Sequence, residues 1–412
     1  MKDTRRAAGR SGERDSQRAR GASCSLEARA AAGIAARCAG VRRSLCAAAL
    51  AAAGLLAAPV QLPAERPFSA TYDATRQIHL EGSVTRVEWV NPHAFLVLLV
   101  RDATGTVARW AVEIGPPLDL ERAGWKRTSV QVGDVVAVDG VPSADDRRQA
   151  FARSVVLKRT GKPLFTRPTA RRAASSAPAP RWPDGRVRLG PPPGGKGYWA
   201  EPSATVLVDR SAGAIRLNED GLLVNLSDVD RVAPFRPWAR ALYEYRQRTR
   251  LRDDPLARCV PPGGPRQFQM PNGVQFIEQR ELGRILVLHG GGDRNWRVIY
   301  TDGRPLAQAA ELVLSYYGTS VGRWDGDTLV VESVGYNEKF WMTNGGLPHT
   351  EALHLTERFS RPNFDTLRYE VTVDDPRTYT RPWTGGWTLR WVPDREIEEY
   401  FCEENAESTF LR

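Results

Sequence analysis

From residue 274 onward the chain reads as one short apolar run after another, each closed by a turn. VQFIEQ, RILVLHG, NWRVIYTDG, YGTSVGRW, DTLVVESVGY, EALHLTERF, LRYEVTVDD and TLRWVPDREIEEYFCEE follow in order. Alternation of apolar and polar residues over such lengths predicts strands. Trp324-Asp325-Gly326-Asp327 marks a hairpin, because Asp-Gly favours the positive φ of tight β-turns. Eight to ten consecutive antiparallel strands predict an up-and-down, lipocalin-like barrel over residues 259–405. Such a barrel commonly encloses one small ligand.

A second β pattern occupies residues 70–158. IHLEGSVTRVEWV, AFLVLLV, VARWAVEI, VGDVVAVDG and FARSVVL are strand-like, and LDLERAG between the third and fourth reads as a short helix. That order is the order of an OB-type barrel. Gly82 lies mid-strand, where a missing Cβ permits the bend that closes a small barrel. A generic β-sandwich is the other reading. Residues 159–200 are rich in Pro, Gly, Ala and Ser and predict a disordered linker. Residues 201–258 combine a few short strands with one helix beginning near Pro237.

The N-terminus carries a different signal. Arg42 and Arg43 precede an uncharged run from Ser44 to Ala58, too short for the roughly 20 residues that cross a bilayer. It predicts a secretory signal peptide cleaved between Ala58 and Ala64, so residues 1–64 read as an upstream extension plus signal. Translation starting near Val41 would account for the extension. The expected location is periplasmic or secreted, with no stable membrane span after cleavage. The formal charge of +10 fits that division. Residues 1–43 contribute +7 and residues 158–196 contribute +9, so the rest of the chain carries −6. A nucleic-acid binder holds its positive charge on a folded face, so nucleic acid is not an expected partner. Beyond the signal only Cys259 and Cys402 remain, and in an oxidising compartment they predict one disulfide. Two unrelated buried thiols are the alternative.

Two resemblances accompany these patterns. Glu81, Gly82 and Val84, followed by Trp89, Asn91, Pro92 and His93, resemble the EGxV and WxNPH core of an uncharacterised family of small secreted domains. A second set resembles a longer uncharacterised exported module. It comprises Cys259 to Arg266, Asp302 to Arg304, Trp324 to Val331, His349 to Glu351 and Glu357 to Phe359. Neither resemblance implies an activity. Both imply export and β architecture. The chain departs from relatives that carry histidines after the signal and after the DGR, since it has ERPFSA and Pro305-Leu306 there. Those departures remove candidate metal ligands.

PHTEALHLTERF, from Pro348 to Phe359, is the densest polar stretch. As a strand it places His349, Glu351, Leu353, Leu355 and Glu357 on one face, with His354 and Arg358 behind. His349 and Glu351 would then stand about 6.6 Å apart, able to meet one small ligand or to act as general base and orienting carboxylate. A buried carboxylate there needs a counter-charge, for which Arg297, Arg304 and Arg358 are candidates. Trp341 and the tryptophans at 296, 324, 383, 387 and 391 are candidates to line an aromatic pocket. His93 is a weak metal candidate that reads more simply as a turn histidine. No P-loop, GxGxxG, HExxH or GxSxG is present, and no cofactor can be named. The leading expectation is a protein binding a small apolar or aromatic ligand in the C-terminal barrel, with the OB-like domain as adaptor for a protein partner. The alternatives are an enzyme using His349 with Glu351 or Glu357, and a metal-handling protein.

Overall fold

The structure, a computed structural model, describes residues 71–400 and Cys402, apart from 91–92, 103, 146, 167–174, 176, 205, 219–220, 271–272, 292–294, 309–310 and 399. The signal peptide and extension expected over 1–64 lie outside the described residues, as do Cys24, Cys38 and Cys46. Two barrels hold most of the strands. The first contains β1 (Ile78–Glu88), β2 (Ala94–Arg101), β3 (Val107–Gly115), β4 (Val135–Pro142) and β5 (Gln149–Leu157), and β6 (Lys162–Thr166) pairs on the outer side of β5. Helix α1 (Pro117–Arg122) bridges β3 and β4. The ring runs β1-β2-β3-β5-β4, which is the expected OB order. Alternate residues Leu80, Leu96, Leu98, Val136, Val138 and Val155 fill its core. Gly82 is required where β1 crosses β2, because a Cβ there would lie 2.6 Å from the Leu99 carbonyl oxygen.

The larger barrel closes in the order β7 (Gly197–Ala200), β8 (Val274–Gln279), β9 (Arg284–His289), β10 (Trp296–Tyr300), β11 (Thr319–Asp325), β12 (Thr328–Val334), β13 (His354–Asn363), β14 (Thr366–Asp374) and β15 (Trp383–Pro393). A ring with an odd number of strands cannot alternate direction all the way round. Each barrel therefore contains one parallel pair, β3 with β5 and β10 with β11. The purely up-and-down lipocalin pattern is corrected on this point. The connection over 301–318 supplies the crossover that a parallel pair demands.

β7 lies inside the stretch expected as a linker. It completes the barrel by pairing with β15 and β8. The preceding described residues, 175 and 177–196, form a strap across one mouth of the barrel. Phe364 N–H donates to the Ala177 carbonyl, and Arg181 pairs with Asp327 in the β11–β12 turn. Arg361, near the end of β13, donates to the carbonyls of Arg188 and Gly190. Gly190 has no room for a side chain, since a Cβ would lie 2.4 Å from the Phe276 carbonyl oxygen. The strap has no core of its own, so it shows no periodicity in the sequence.

The opposite mouth is covered by the described residues of 201–273 and by 335–353, including α2 (Val229–Val232) and α3 (Pro237–Arg248). A buried 3-10 turn over Gly264–Gln269 inserts Phe268 against Phe359 and Tyr369, with ring centroids 5.2 and 4.8 Å away. Arg266 anchors this turn through two hydrogen bonds to Asp254 and one to Asn344. Cys259 and Cys402 are joined by a disulfide, their Cα atoms 5.5 Å apart.

Candidate functional site

The pleat of β13 turns Leu355, Glu357 and Phe359 into the barrel and His354, Thr356 and Arg358 outward. Glu357 meets Arg297, which points inward from β10, and both side chains are almost wholly buried. The guanidinium makes four hydrogen bonds: two to Glu357, one to Ser320 Oγ at 2.9 Å and one to Ser333 Oγ at 2.7 Å. Tyr369 OH donates to Glu357 at 3.0 Å. Burial disfavours the charge on Arg297, but the Glu357 carboxylate outweighs it and holds the guanidinium pKa above its ordinary value. The Tyr369 phenol is raised by burial and then by Glu357. One inward neighbour away, His289 is pushed down to about 3 by burial and by Arg297. Its ring stacks on Tyr317 at 5.0 Å, and neither ring nitrogen has a hydrogen-bond partner among the described residues. With Phe268, Phe276, Phe359, Trp383 and Trp387 also buried inside, the interior is occupied by the protein's own side chains.

The expected His349–Glu351 pair is not formed. β13 begins only at His354, so the period-two reading fails upstream of Leu353. Residues 349–352 instead form a turn gripped by Asp375, which accepts from Thr350 N–H at 2.6 Å and from Thr350 Oγ1 at 2.9 Å. His349 is 6 % exposed, lies against Phe340, and faces the carbonyls of Phe340 and Thr350 at 3.1 and 3.2 Å. Burial lowers its pKa and holds it neutral. Glu351 is exposed to solvent. A general base needs access to its substrate, and His349 is buried with both ring nitrogens facing backbone carbonyls rather than a carboxylate. Glu357 is spent on Arg297 and cannot serve the same role.

The other candidates separate in the same way. Arg304 is exposed, pairs with Asp302 and lies over Tyr300. Arg358 is on the outer face and pairs with Asp325. Trp341 is buried, its ring covered by Arg246 at 4.4 Å. Of the catalytic and ligand-binding candidates named from the sequence, Arg297 and Glu357 come together.

In the small barrel, His93 Nδ1 donates to Glu113 Oε1 at 2.7 Å, and Tyr72 OH donates to Glu113 Oε2 at 2.6 Å. Gln149 Nε2 donates in turn to the Tyr72 oxygen at 2.9 Å. Burial, followed by the Glu113 charge, raises the Tyr72 phenol well above its ordinary value, so it stays a donor. His79, the other histidine of this barrel, is separately engaged by Asp139 at 2.7 Å. Among the described residues, no three His, Cys, Asp or Glu side chains gather to hold a metal ion. Sequence reading missed Tyr72 and Glu113. The available signal was a lone carboxylate between Val112 and Ile114 in an otherwise apolar run.

An open cleft of about 470 Å³ lies at the strapped mouth, between Arg186 of the strap, the β8–β9 turn and the end of β11. Its charged lining is Arg186, Glu278, Arg280, Glu281 and Arg284, and Trp324 forms a wall. A second cleft of about 340 Å³ shares Glu278 and continues past Trp182 and Arg188. Glu278 fixes the strap, accepting from Trp182 Nε1 at 2.9 Å and from the N–H groups of Leu189 and Gly190. Trp182 is held between Arg188 and Arg280, at 3.8 and 4.9 Å from its ring. No residue of this cleft except Trp324 was singled out from the sequence. Its arginines belong to the segment expected as a linker and to an unremarkable turn.

A family of unknown function, DUF6152, matches residues 54–152. The match spans the small barrel into β5 and includes the EGxV and WxNPH residues. The motifs of the C-terminal module lie beyond it. No curated protein matches the chain. No helix among the described residues is long and apolar enough to cross a membrane.

Proposed function

We propose that this chain is an exported, non-catalytic binding protein whose small ligand sits in the cleft at the strapped mouth of the large barrel. The carrying observation is a contrast within one barrel. The interior is filled by ring side chains and an internally paired Arg–Glu couple, whereas the mouth cleft is open and built from a fixed strap. Ligand sites are concave and combine a few fixed polar groups with apolar or aromatic walls, as Trp324 and its arginine neighbours do here. Export is supported by the signal-like run from Ser44 to Ala58 and by the disulfide, which belongs to oxidising compartments. The small barrel is a second recognition module in this reading. The test is native mass spectrometry of the full chain produced with export. A retained small molecule that is lost in Trp324→Ala and kept in Trp341→Phe supports the cleft. Retention unaffected by Trp324→Ala refutes it.

A further inference from the structure

The charges around the mouth cleft are not equally engaged. Arg280 is paired with Asp184, and Glu278 accepts three N–H groups from the strap. Arg284 donates its Nε to the neutral Gln279 side chain at 2.6 Å, and Arg186 lies 5.4 Å over the Trp324 ring. Asp184 is close enough to feel the charge of Arg186 and accepts from its backbone N–H, but that carboxylate is bonded to Arg280, and no ion pair of the Arg186 or Arg284 guanidinium is formed among the described residues. The remaining charge is Glu281, exposed on the turn. Two guanidinium groups outside direct ion pairs therefore line one cleft from two sides, the strap and β9, and Trp324 lies beneath one of them.

A guanidinium presents a planar fork of N–H groups matched to the oxygens of a carboxylate or phosphate. Stacking on an aromatic face fixes the plane of that fork without using its donors. Arg186 lies within cation–π range of Trp324, and a second fork from Arg284 can take the other oxygens of the same group. We propose that the cleft binds a small organic molecule through an oxyanion, phosphate or carboxylate, gripped by Arg186 and Arg284. This rests on the reading of the cleft as the ligand site and narrows its chemistry.

Isothermal titration of the full chain with inorganic phosphate and with citrate, against glucose as a neutral control, tests it and separates the two sources of oxyanion. Binding of one anion, weakened about 10- to 100-fold by Arg186→Ala or Arg284→Ala, is the expected result. Arg210→Ala, whose arginine pairs with Glu370 away from the cleft, is expected to leave affinity unchanged. Affinity falling as salt rises also supports the proposal. Anion binding that survives the Arg186→Ala/Arg284→Ala double variant overturns it. So does millimolar phosphate and citrate failing to bind while a neutral molecule is retained and lost on Trp324→Ala; that outcome leaves the cleft itself standing. Circular dichroism of each variant shows whether lost binding reflects lost folding.

Discussion

Replacing Glu357 by Gln keeps the shape of the side chain and an acceptor for Tyr369, but removes the only negative charge hydrogen-bonded to Arg297. The guanidinium is 1 % exposed, so water cannot reach it. Removing one partner of a buried ion pair costs about 3–5 kcal/mol, because the surviving charge is left without compensation. For a domain this size, that corresponds to a fall in Tm on the order of 10 °C. Arg297→Met combined with Glu357→Gln removes the stranded charge. Ser320 and Ser333 can still bond each other at 3.0 Å, and the introduced amide oxygen can accept from Tyr369. The double variant is therefore expected to recover at least half of the loss. Urea unfolding followed by tryptophan fluorescence measures both, since Trp199, Trp383, Trp387 and Trp391 are buried in this barrel. A single variant costing under about 1 kcal/mol, or a double variant no more stable than the single, refutes the argument that the pair is needed for charge compensation.

Acidification gives a second test. His289 has a folded pKa of about 3 against an unfolded value near 6.5, so the fold favours its neutral form. Its contribution is complete above pH 6.5 and is lost as the unfolded chain takes up a proton below that. Between pH 6.5 and 5 the loss is about 2 kcal/mol, and His289→Phe is expected to remove that part of the slope in urea titrations. His349, also lowered by burial, adds to the slope in the same direction. Cys259→Ala with Cys402→Ala opens a loop with a sequence separation of 143 residues and is expected to cost up to about 5 kcal/mol, read by thermal unfolding. Tyr72→Phe removes a hydrogen bond to the buried Glu113 carboxylate, and a loss of about 1.5–3 kcal/mol in the small barrel is expected by the same method.

The β pattern was legible because it is local. Alternation in LRYEVTVDD and TLRWVPD survives as alternate burial in β14 and β15, and Asp-Gly marks the β11–β12 turn. The pleat put Leu355 and Glu357 on one face without saying which way it looks, and the need of a buried carboxylate for a counter-charge named Arg297 together with Arg304 and Arg358, which pair elsewhere. What failed was decided by distant residues. His349 and Glu351 leave the strand pattern because Asp375, 25 residues downstream of Thr350, captures the preceding turn. Gly197–Ala200 is too short to show a period, and its strand character comes from β15, nearly two hundred residues later. Prolines and glycines in the strap suggested disorder, yet Arg181 pairs with Asp327 and Trp182 donates to Glu278 on the barrel.

The residues that carry the C-terminal resemblance all have structural employment. Cys259 forms the disulfide, Arg266 holds Asp254, Asp302 pairs with Arg304, and the 324–331 motif builds a hairpin. His349 and Thr350 are bound within the turn, and Glu357 compensates Arg297. Apart from Trp324, which also walls the cleft, and the exposed Glu351, these motif residues are engaged in the fold, which leaves the charged contacts to a ligand to residues outside the motif. Arg186 and Arg284 are such residues, and they sit where strap and barrel meet around an open cleft. Substitution at Arg186 should therefore change which molecule is held while leaving stability within about 0.5 kcal/mol, as expected for an exposed side chain without an ion-pair partner. Substitution at Arg266, whose pair is buried, should do the reverse.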